Sequence, residues 1–251
     1  MWSFIRLAAR LALALPWTFA CLFYFELRAF FSPKKTLALR DQYLRLWGRG
    51  ILKLFAFRYR FILPETPLSG SFLLVANHRS AMDIPVLLAV FGGVLLSHHG
   101  VIAWPLFGFC ARRVGTVFVN REDRHSGAKA IRAIKKRLDA GNTVIIFPEG
   151  TTFEGDEVRP FHTGALSAAK LSGVHILPVG ICYDEGIAFT DRSFASYLKR
   201  IGRKKELAVT VNVGTPLEMT APTTEIKARV HGEIQNLVHH ARSIHSEVSG
   251  V

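Results

Sequence analysis

Acidic residues and cysteines are scarce in this sequence. Its 251 residues include 19 Asp and Glu against 32 Lys and Arg, which gives a formal net charge of +13. The three cysteines, Cys21, Cys110 and Cys182, lie far apart and form no C-x-x-C pair. The sequence therefore indicates neither a disulfide framework nor a zinc site. A chain this basic is expected to bind an anionic partner: a nucleic acid, an acidic membrane face or a phosphorylated substrate.

Several well-known catalytic and nucleotide-binding motifs are also missing. The sequence contains no G-x-S-x-G, no G-x-x-x-x-G-K-[ST] and no G-x-G-x-x-G. This argues against an α/β-hydrolase serine, an ATP-binding P-loop and a dinucleotide fingerprint. The adjacent pairs His98-His99 and His239-His240 are poor metal ligands, because neighbouring side chains on a strand point apart. We expect no metal site and no resident cofactor.

The first quarter of the chain is both basic and apolar. Residues 1–63 carry eleven of the basic residues and only two acidic ones, yet Leu11 to Phe25 is uncharged (LALALPWTFACLFYF). A nucleic-acid-binding arm is usually polar, so this combination indicates an anionic membrane surface and no nucleic acid. The run is shorter than the roughly 20 residues of a spanning helix and contains Pro16. A cleaved signal peptide, a true span and a helix dipping into one leaflet all remain open; basic residues at both flanks favour the last.

A second amphipathic helix is predicted directly after this run. On a helical wheel, one arc of Asp41 to Phe55 is apolar and another is basic. The apolar arc holds Leu44, Trp47, Ile51, Leu54 and Phe55, and the basic arc holds Arg45, Arg49 and Lys53. Such a helix either packs on its own domain or lies on a membrane, and its position after an apolar segment favours the membrane. We therefore assign residues 1–63 to a membrane anchor and residues 64–251 to an α/β domain.

Strand and helix patterns alternate through the rest of the chain. This alternation predicts an α/β fold, a mostly parallel or mixed sheet flanked by helices. Pro178, within one of the strands, predicts an edge or a bulge there. We predict strands at 71–76, 93–97, 116–120, 143–147, 175–183 and 207–213, and helices at 83–91, 126–140, 163–171 and 226–241.

Polar side chains follow three of these strands, and the carboxyl ends of parallel strands share one edge of a sheet. Asn77-His78 follows the first, with Asp83 five residues on; Arg121 follows 116–120, and PEGTT (148–152) follows 143–147. Taken singly, each residue has an ordinary structural explanation. Asp83 could cap its helix and His78 could be a surface histidine. Arg121 could pair with a neighbouring acidic residue, and PEGT is a common turn sequence. Together they favour a site in which a histidine oriented by a carboxylate acts as general base and Arg121 binds a phosphate.

Four sequence blocks resemble those of a known family. NHRSAMD has the form N-H-x-x-x-x-D, GTVFVNR the form G-x-x-F-x-x-R, FPEGTT the form F-P-E-G-T, and ILPVG is the proline-containing fourth block. In order and spacing they resemble the glycerolipid acyltransferases, most closely the bacterial 1-acylglycerol-3-phosphate acyltransferases. The resemblance covers about residues 70 to 185.

The resemblance implies a reaction and a role for each site residue. The hydroxyl of a lysophospholipid would attack the thioester of acyl-CoA or acyl carrier protein directly, without an acyl-enzyme, giving phosphatidate. His78 would take the hydroxyl proton, Asp83 would orient the imidazole, and Arg121 would bind the acceptor phosphate. Glu149, Gly150 and Thr151 match the acceptor-binding block. The enzyme would need no cofactor and, if bacterial, would work on the cytoplasmic face of the inner membrane.

The sequence departs from the family pattern at two places. Thr152 stands where Arg or Ser often follows F-P-E-G-T, and SHHG (97–100) lacks a lysine that many members carry. Arg112, Arg113 and Arg159 are the cations that could replace them. Because these departures concern phosphate binding, another lysolipid such as lyso-ornithine lipid is an alternative acceptor.

Overall fold

The computed structural model of the protein describes residues 2–100, 105–119, 126–162 and 164–249. Two long N-terminal helices are followed by two successive strands, and strands and helices alternate from the second of these, at Leu73, onward. The helices are α1 (Trp2–Phe31), α2 (Thr36–Leu54), α3 (Asp83–Phe91), α4 (Pro105–Arg113), α5 (Ser126–Asp139), α6 (Gly164–Ser172), α7 (Phe194–Ile201), α8 (Thr223–Ser243) and α9 (Ser246–Ser249), with a short 3₁₀ turn at Pro33–Lys35. The strands are β1 (Phe57–Ile62), β2 (Leu73–Ala76), β3 (Val94–His98), β4 (Val117–Val119), β5 (Val144–Ile146), β6 (Ile176–Tyr183) and β7 (Leu207–Val213).

The strands form one mixed sheet in the order β1-β7-β6-β2-β5-β3-β4, which confirms the predicted fold class. All neighbouring pairs are parallel except β6 and β7, so β1 and β7 run opposite to the other five strands. The central strands β2, β5 and β6 are buried along their whole length, as expected for strands covered on both faces. The direct neighbours β2 and β5 carry the first and third sequence blocks at their carboxyl ends.

Alternate residues of each central strand enter two separate cores, one on each face of the sheet. Leu74 and Ile145 pack on the first face, in a core completed by α2, α3 and α7. Leu73 and Ile146 pack on the second face, in a core completed by α5, α6 and α8. The two layers thus hold the strand ends in register.

Two details differ from the sequence-based expectations. Strand β1 lies inside the segment assigned to the membrane anchor, but it pairs with β7, so the sheet begins at Phe57 and not after residue 63. Pro178 lies in the interior strand β6, so the predicted edge is wrong, whereas the alternative, a bulge, is present: two residues of β6 stand against three between the Val179–Val213 pair and the Ile176–Leu217 bridge. The pairing of β6 with β7 begins only at Val179, so Pro178 stands where that ladder has ended and its missing N–H costs little. Thr163, the predicted first residue of α6, lies outside the described residues.

Helix α1 is docked on the α/β layers and exposes a long apolar face. Its 30 residues, which include Pro16, are long and apolar enough to cross a membrane. Its inward stripe includes the buried residues Leu7, Arg10, Cys21 and Phe25. The Arg10 guanidinium donates to the carbonyls of Leu54, Gly202, Lys204 and Lys205, three of them next to α7.

Helix α2 packs tightly against α3. A Cβ on Gly48 would lie 2.6 Å from the Pro85 carbonyl oxygen, so only glycine permits this approach. Arg45 donates to the carbonyls of Val90 and Phe91, and Arg49 to that of Ala89, at the C-terminal end of α3. These carbonyls lack partners within their own helix and attract cations. Two of the three cations predicted to face a membrane are therefore engaged with the protein itself.

Candidate active site

The pairing of β2 with β5 brings two of the sequence blocks together at one edge of the sheet. Asn77 and His78 directly follow β2, and Glu149 lies three residues after β5. The amide of Asn77 both donates to the Ile181 carbonyl and accepts from the Ile181 N–H, at 2.9 and 2.7 Å. This double contact attaches the first residue of the His78 loop to the interior of β6.

His78 and Asp83 form a close pair. His78 Nδ1 lies 2.7 Å from Asp83 Oδ2, and Asp83 is fully buried. The same oxygen accepts the backbone N–H groups of Arg79 and Ser80, at 2.8 and 2.9 Å. A carboxylate with these contacts fixes both the loop and the imidazole tautomer.

The structure corrects one expectation about Asp83. Met82 is the N-cap of α3 and makes no side-chain cap, while Asp83 is the first helical residue. The Asp83 carboxylate turns back to the preceding loop, where three donors converge on it, and does not cap the helix.

The His78 ring is positioned for contact with a substrate. It stacks on Phe147 with a centroid distance of 4.1 Å and an interplanar angle of 14°. Its side chain is 19% exposed, whereas Asp83 is enclosed. Because Asp83 occupies Nδ1, a neutral imidazole presents its other nitrogen, Nε2, as the proton acceptor.

Glu149 is buried beneath this histidine. Its Oε2 accepts the His78 N–H at 3.0 Å and Arg79 Nη1 at 2.8 Å, and its Oε1 accepts the Arg159 N–H at 3.0 Å. The side chain is fully enclosed. Acceptor binding by Glu149 stays a prediction, and these contacts favour an effect through the backbones of His78 and Arg159.

Gly150 and Thr151 continue the turn after β5. Gly150 has φ of +81°, a left-handed conformation that favours glycine, and its N–H donates to the Phe147 carbonyl. Thr151 is exposed. Thr152, which departs from the family pattern, donates from its hydroxyl to the Phe189 carbonyl at 2.6 Å and so holds a neighbouring loop. Acceptor binding by Gly150 and Thr151 remains a prediction.

Arg79 is a functional-site residue that the sequence analysis missed. It is buried, pairs with Glu149, and donates to the carbonyls of Gly155 and Glu157 at 2.7 Å each. It thereby binds the loop 149–159 to the loop that carries His78. In the sequence Arg79 occupies a variable position of N-H-x-x-x-x-D, and no local signal marks it as buried.

The cations named for phosphate binding have different surroundings. Arg121 lies outside the described residues. Arg113 is paired with Glu26 of α1 at 3.0 Å. Arg159 is exposed, its guanidinium lies 5.1 Å from the centre of the Phe153 ring, and its backbone is held by Glu149. Arg159 is therefore connected to the histidine loop through one carboxylate.

Two cysteine thiols are poor nucleophiles. Burial raises the pKa of Cys182 to about 12, and burial also raises the pKa of Cys110. Since the thiolate is the reactive form, neither thiol suits an acyl-enzyme. The Ser80 hydroxyl is fully buried and bonded to Tyr197, so it cannot meet a substrate.

This is an α/β enzyme with a His–Asp pair at the carboxyl edge of its sheet. The chain belongs to the acyltransferase family, whose profile matches residues 60–182. It is 34% identical over 190 residues to the lyso-ornithine lipid O-acyltransferase of Pseudomonas aeruginosa, covering 71% of each chain. It is 35% identical over 198 residues to the enzyme of the same name from Brucella abortus, covering 70% of this chain and 73% of that one.

Two further relatives are named for a 1-acylglycerol phosphate as the acceptor. The 1-acyl-sn-glycerol-3-phosphate acyltransferase of Neisseria meningitidis serogroup B is 28% identical over 172 residues, covering 66% of this chain and 68% of that one. The crystal structure of the 1-acyl-sn-glycerophosphate acyltransferase PlsC from Thermotoga maritima superposes with a TM-score of 0.70 at 22% identity, over 93% and 98% of the two chains. That likeness shows the fold. The family and the relatives make the chain a lipid-biosynthetic acyltransferase of the lysophospholipid type.

Proposed function

We propose that the protein transfers a fatty acyl group from a thioester to the free hydroxyl of 1-acylglycerol-3-phosphate, giving phosphatidate. The observation that carries this proposal is the 2.7 Å contact between His78 Nδ1 and Asp83 Oδ2, with the imidazole partly exposed. A base, an oriented hydroxyl and an already activated thioester are sufficient for this reaction.

The reaction needs one proton carrier. As the acceptor oxygen bonds to the thioester carbonyl carbon, its proton passes to His78 Nε2, and Asp83 stabilises the imidazolium that forms. The tetrahedral intermediate then expels the thiolate as the C–S bond breaks, and the imidazolium returns the proton to sulfur. We infer acyl-CoA or acyl carrier protein as the donor, because either leaves a thiol.

Arg121 and Arg159 support a phosphate-bearing acceptor. Arg121 stands in the second sequence block, to which the resemblance assigns phosphate binding. Arg159 presents an exposed guanidinium on the loop that Glu149 joins to His78. A guanidinium binds phosphate oxygens in a planar, two-pronged geometry, which would orient the glycerol hydroxyl toward the base.

Lyso-ornithine lipid is a second candidate acceptor, and a specific observation favours it. The two relatives of 34% and 35% identity described above are both named for that acceptor, while the Neisseria relative named for 1-acylglycerol-3-phosphate is 28% identical. The departures at Thr152 and in residues 97–100 also weaken the pattern expected for phosphate binding. The chemistry at His78 would be the same with either lipid.

We also infer that the protein works at a membrane surface, on the cytoplasmic side if it is bacterial. The outward face of α1 is rich in exposed apolar side chains, while its inward stripe is docked on the protein. A helix docked through Leu7 near one end and Phe25 near the other favours insertion into one leaflet over a span. Arg28, Lys34 and Lys35 are exposed near the C-terminal end of α1 and would meet anionic headgroups, whereas the cations at its other end, Arg6 and Arg10, donate to carbonyls of the protein.

The test is a panel of acceptors. Purified full-length protein in mixed vesicles is given labelled acyl-CoA or acyl carrier protein with 1-acylglycerol-3-phosphate, lyso-ornithine lipid or lysophosphatidylglycerol. We expect the highest kcat/KM with 1-acylglycerol-3-phosphate; preference for another lipid would replace this acceptor assignment. Absence of transfer to every lysolipid would refute the enzymatic proposal.

A matched pair of histidine variants tests the base. His78→Ala should lower kcat by about 10²–10⁴-fold, the usual contribution of a general base. His175→Ala is the control. His175 is partly exposed and immediately precedes β6, whereas His78 follows the end of the parallel strand β2, so the two histidines lie at opposite edges of the sheet. Full activity in His78→Ala would show that another group takes the proton.

A further inference from the structure

The buried carboxylate behind His78 has one oxygen without a partner. Asp83 Oδ2 accepts three hydrogen bonds, but Asp83 Oδ1 is buried and makes none to any described residue. A buried carboxylate oxygen left unpaired is costly, and few such groups occur in folded proteins. A donor for Oδ1 is therefore expected in its immediate surroundings.

The Tyr183 hydroxyl is the second unpaired group in the same core. It is buried and, like Asp83 Oδ1, has no hydrogen-bond partner among the described residues. Tyr183 is the last residue of β6, and alternation along the strand places its side chain on the same face as Val179 and Ile181. That face is the one that α3 covers, and α3 begins with Asp83.

Asp83 acts directly on this phenol. Burial, the Asp83 charge and contact with the Asp83 side chain raise the pKa of Tyr183 well above its usual range. The phenol is therefore protonated at every pH at which the enzyme would work, and it can only lie beside the carboxylate as a donor. One hydrogen bond from the phenol to Asp83 Oδ1 would satisfy both orphaned atoms.

We propose that Tyr183 is a positioning residue that donates its hydroxyl hydrogen to Asp83 Oδ1 and so controls how strongly Asp83 holds the proton on His78. This inference rests on the proposed function of His78 as the general base. A carboxylate that already accepts a phenol hydrogen bond is less basic and attracts the imidazolium proton less strongly. Tyr183 would thereby keep His78 unprotonated, and thus active as a base, to lower pH.

Other charged and titratable groups near Asp83 and Tyr183 also contribute to the electrostatics around His78. Arg79 and Glu149 neutralise each other at 2.8 Å beneath the histidine loop. From α7, Tyr197 is bonded to Ser80, and Arg200 lies over the Tyr197 ring at 5.6 Å. Since a change at Tyr183 alters none of these contacts, its effect on the pH dependence can be separated from theirs.

The test is the pH profile of kcat/KM for wild type, Tyr183→Phe and Tyr43→Phe. Removing the phenol donor should move the acidic limb of Tyr183→Phe upward by about half a unit to one unit, because the imidazolium is then held more tightly. Tyr43 belongs to the separate cluster with Phe25, so Tyr43→Phe controls for the loss of a tyrosine hydroxyl away from the site and should not move the limb.

A second variant gives the opposite displacement. Replacement of Tyr183 by 3-fluorotyrosine makes the phenol a stronger donor without removing it, so the acidic limb should move downward. It also keeps the test decisive if Tyr183→Phe fails to fold, as judged by its unfolding midpoint. A folded variant with an unmoved limb, in an active background, would overturn the role of Tyr183 alone. Absence of activity in wild type with every lysolipid would overturn the proposed function as well.

Discussion

Arg79 and Glu149 form an enclosed ion pair, with Arg79 Nη1 2.8 Å from Glu149 Oε2 and side-chain exposures of 5% and 0%. The pair joins the loop after β2 to the loop after β5, and the Glu149 carboxylate also holds the backbones of His78 and Arg159. The first and third sequence blocks of the family are thus one physical unit in this chain. Its contacts explain why a glutamate that no substrate can easily reach belongs in the site.

Glu149→Gln should destabilise the protein and lower kcat. The amide cannot neutralise Arg79, and breaking a buried ion pair from one side typically costs about 3–5 kcal/mol. Because the amide has one acceptor oxygen where the carboxylate has two, it cannot hold the backbones of both His78 and Arg159, so kcat should fall more than KM rises. Urea unfolding and steady-state kinetics measure the two effects.

The partner variant Arg79→Met separates this role from direct acceptor binding. If Glu149 acts through the loop, Arg79→Met should give the same pattern, and the double variant should lose less than the sum of the two. A rise in KM without loss of stability in Glu149→Gln would instead support the predicted contact with the acceptor.

Arg159→Gln should discriminate between the two acceptors. Loss of a charge-assisted contact to phosphate should raise KM for 1-acylglycerol-3-phosphate by about tenfold or more, with a smaller effect on lyso-ornithine lipid, which has no phosphate. Arg113→Gln is the matched control, because Arg113 pairs with Glu26. Equal KM changes for both lipids in Arg159→Gln would contradict phosphate binding by Arg159.

The sequence indicated the parts of the site that depend on strand ends, and missed the parts that depend on pairing between strands. The strands around His78 and Glu149 were predictable because buried parallel strands are continuous apolar runs. The adjacency of β2 and β5 was not, since order in a sheet is a tertiary property. Without it, Arg79 had no visible partner and Glu149 no visible reason to be buried. The basic arc of α2 was ambiguous for a similar reason: the carbonyls that Arg45 and Arg49 bind lie in another helix.

The stability of the protein should fall on mild acidification through His245. Its imidazole is buried between the Thr210 hydroxyl, 2.9 Å from Nδ1, and Asp184, 3.0 Å from Nε2. Burial lowers the pKa of His245 although Asp184 opposes the shift. Below the ordinary histidine pKa of about 6.5, the unfolded chain therefore binds this proton more readily than the folded chain. The stabilisation is present above that pH and is lost as the pH falls through the folded pKa.

His245→Gln isolates this contribution. Urea midpoints are measured for both proteins at about pH 7.5 and pH 5.5, on either side of the ordinary histidine pKa. Wild type should lose more stability between these values than His245→Gln, which keeps polar atoms near Thr210 but cannot be protonated. Equal losses in the two proteins would assign the pH dependence to other groups.

Membrane binding should depend on the outward face of α1 and not on apolar exposure in general. Phe23 and Phe30 are 68% and 80% exposed on that face, and Leu171 is 61% exposed on α6, which covers the opposite face of the sheet. Burying one large apolar side chain contributes about 1.5–3 kcal/mol, so Phe23→Ser with Phe30→Ser should weaken binding to anionic vesicles by at least about tenfold. Neither change removes a core contact, so unfolding midpoints should stay close to that of wild type.

Leu171→Ser is the matched control and should bind vesicles as wild type does. Vesicle flotation distinguishes the cases: unchanged binding of the double variant, or an equal loss in Leu171→Ser, would contradict attachment through α1.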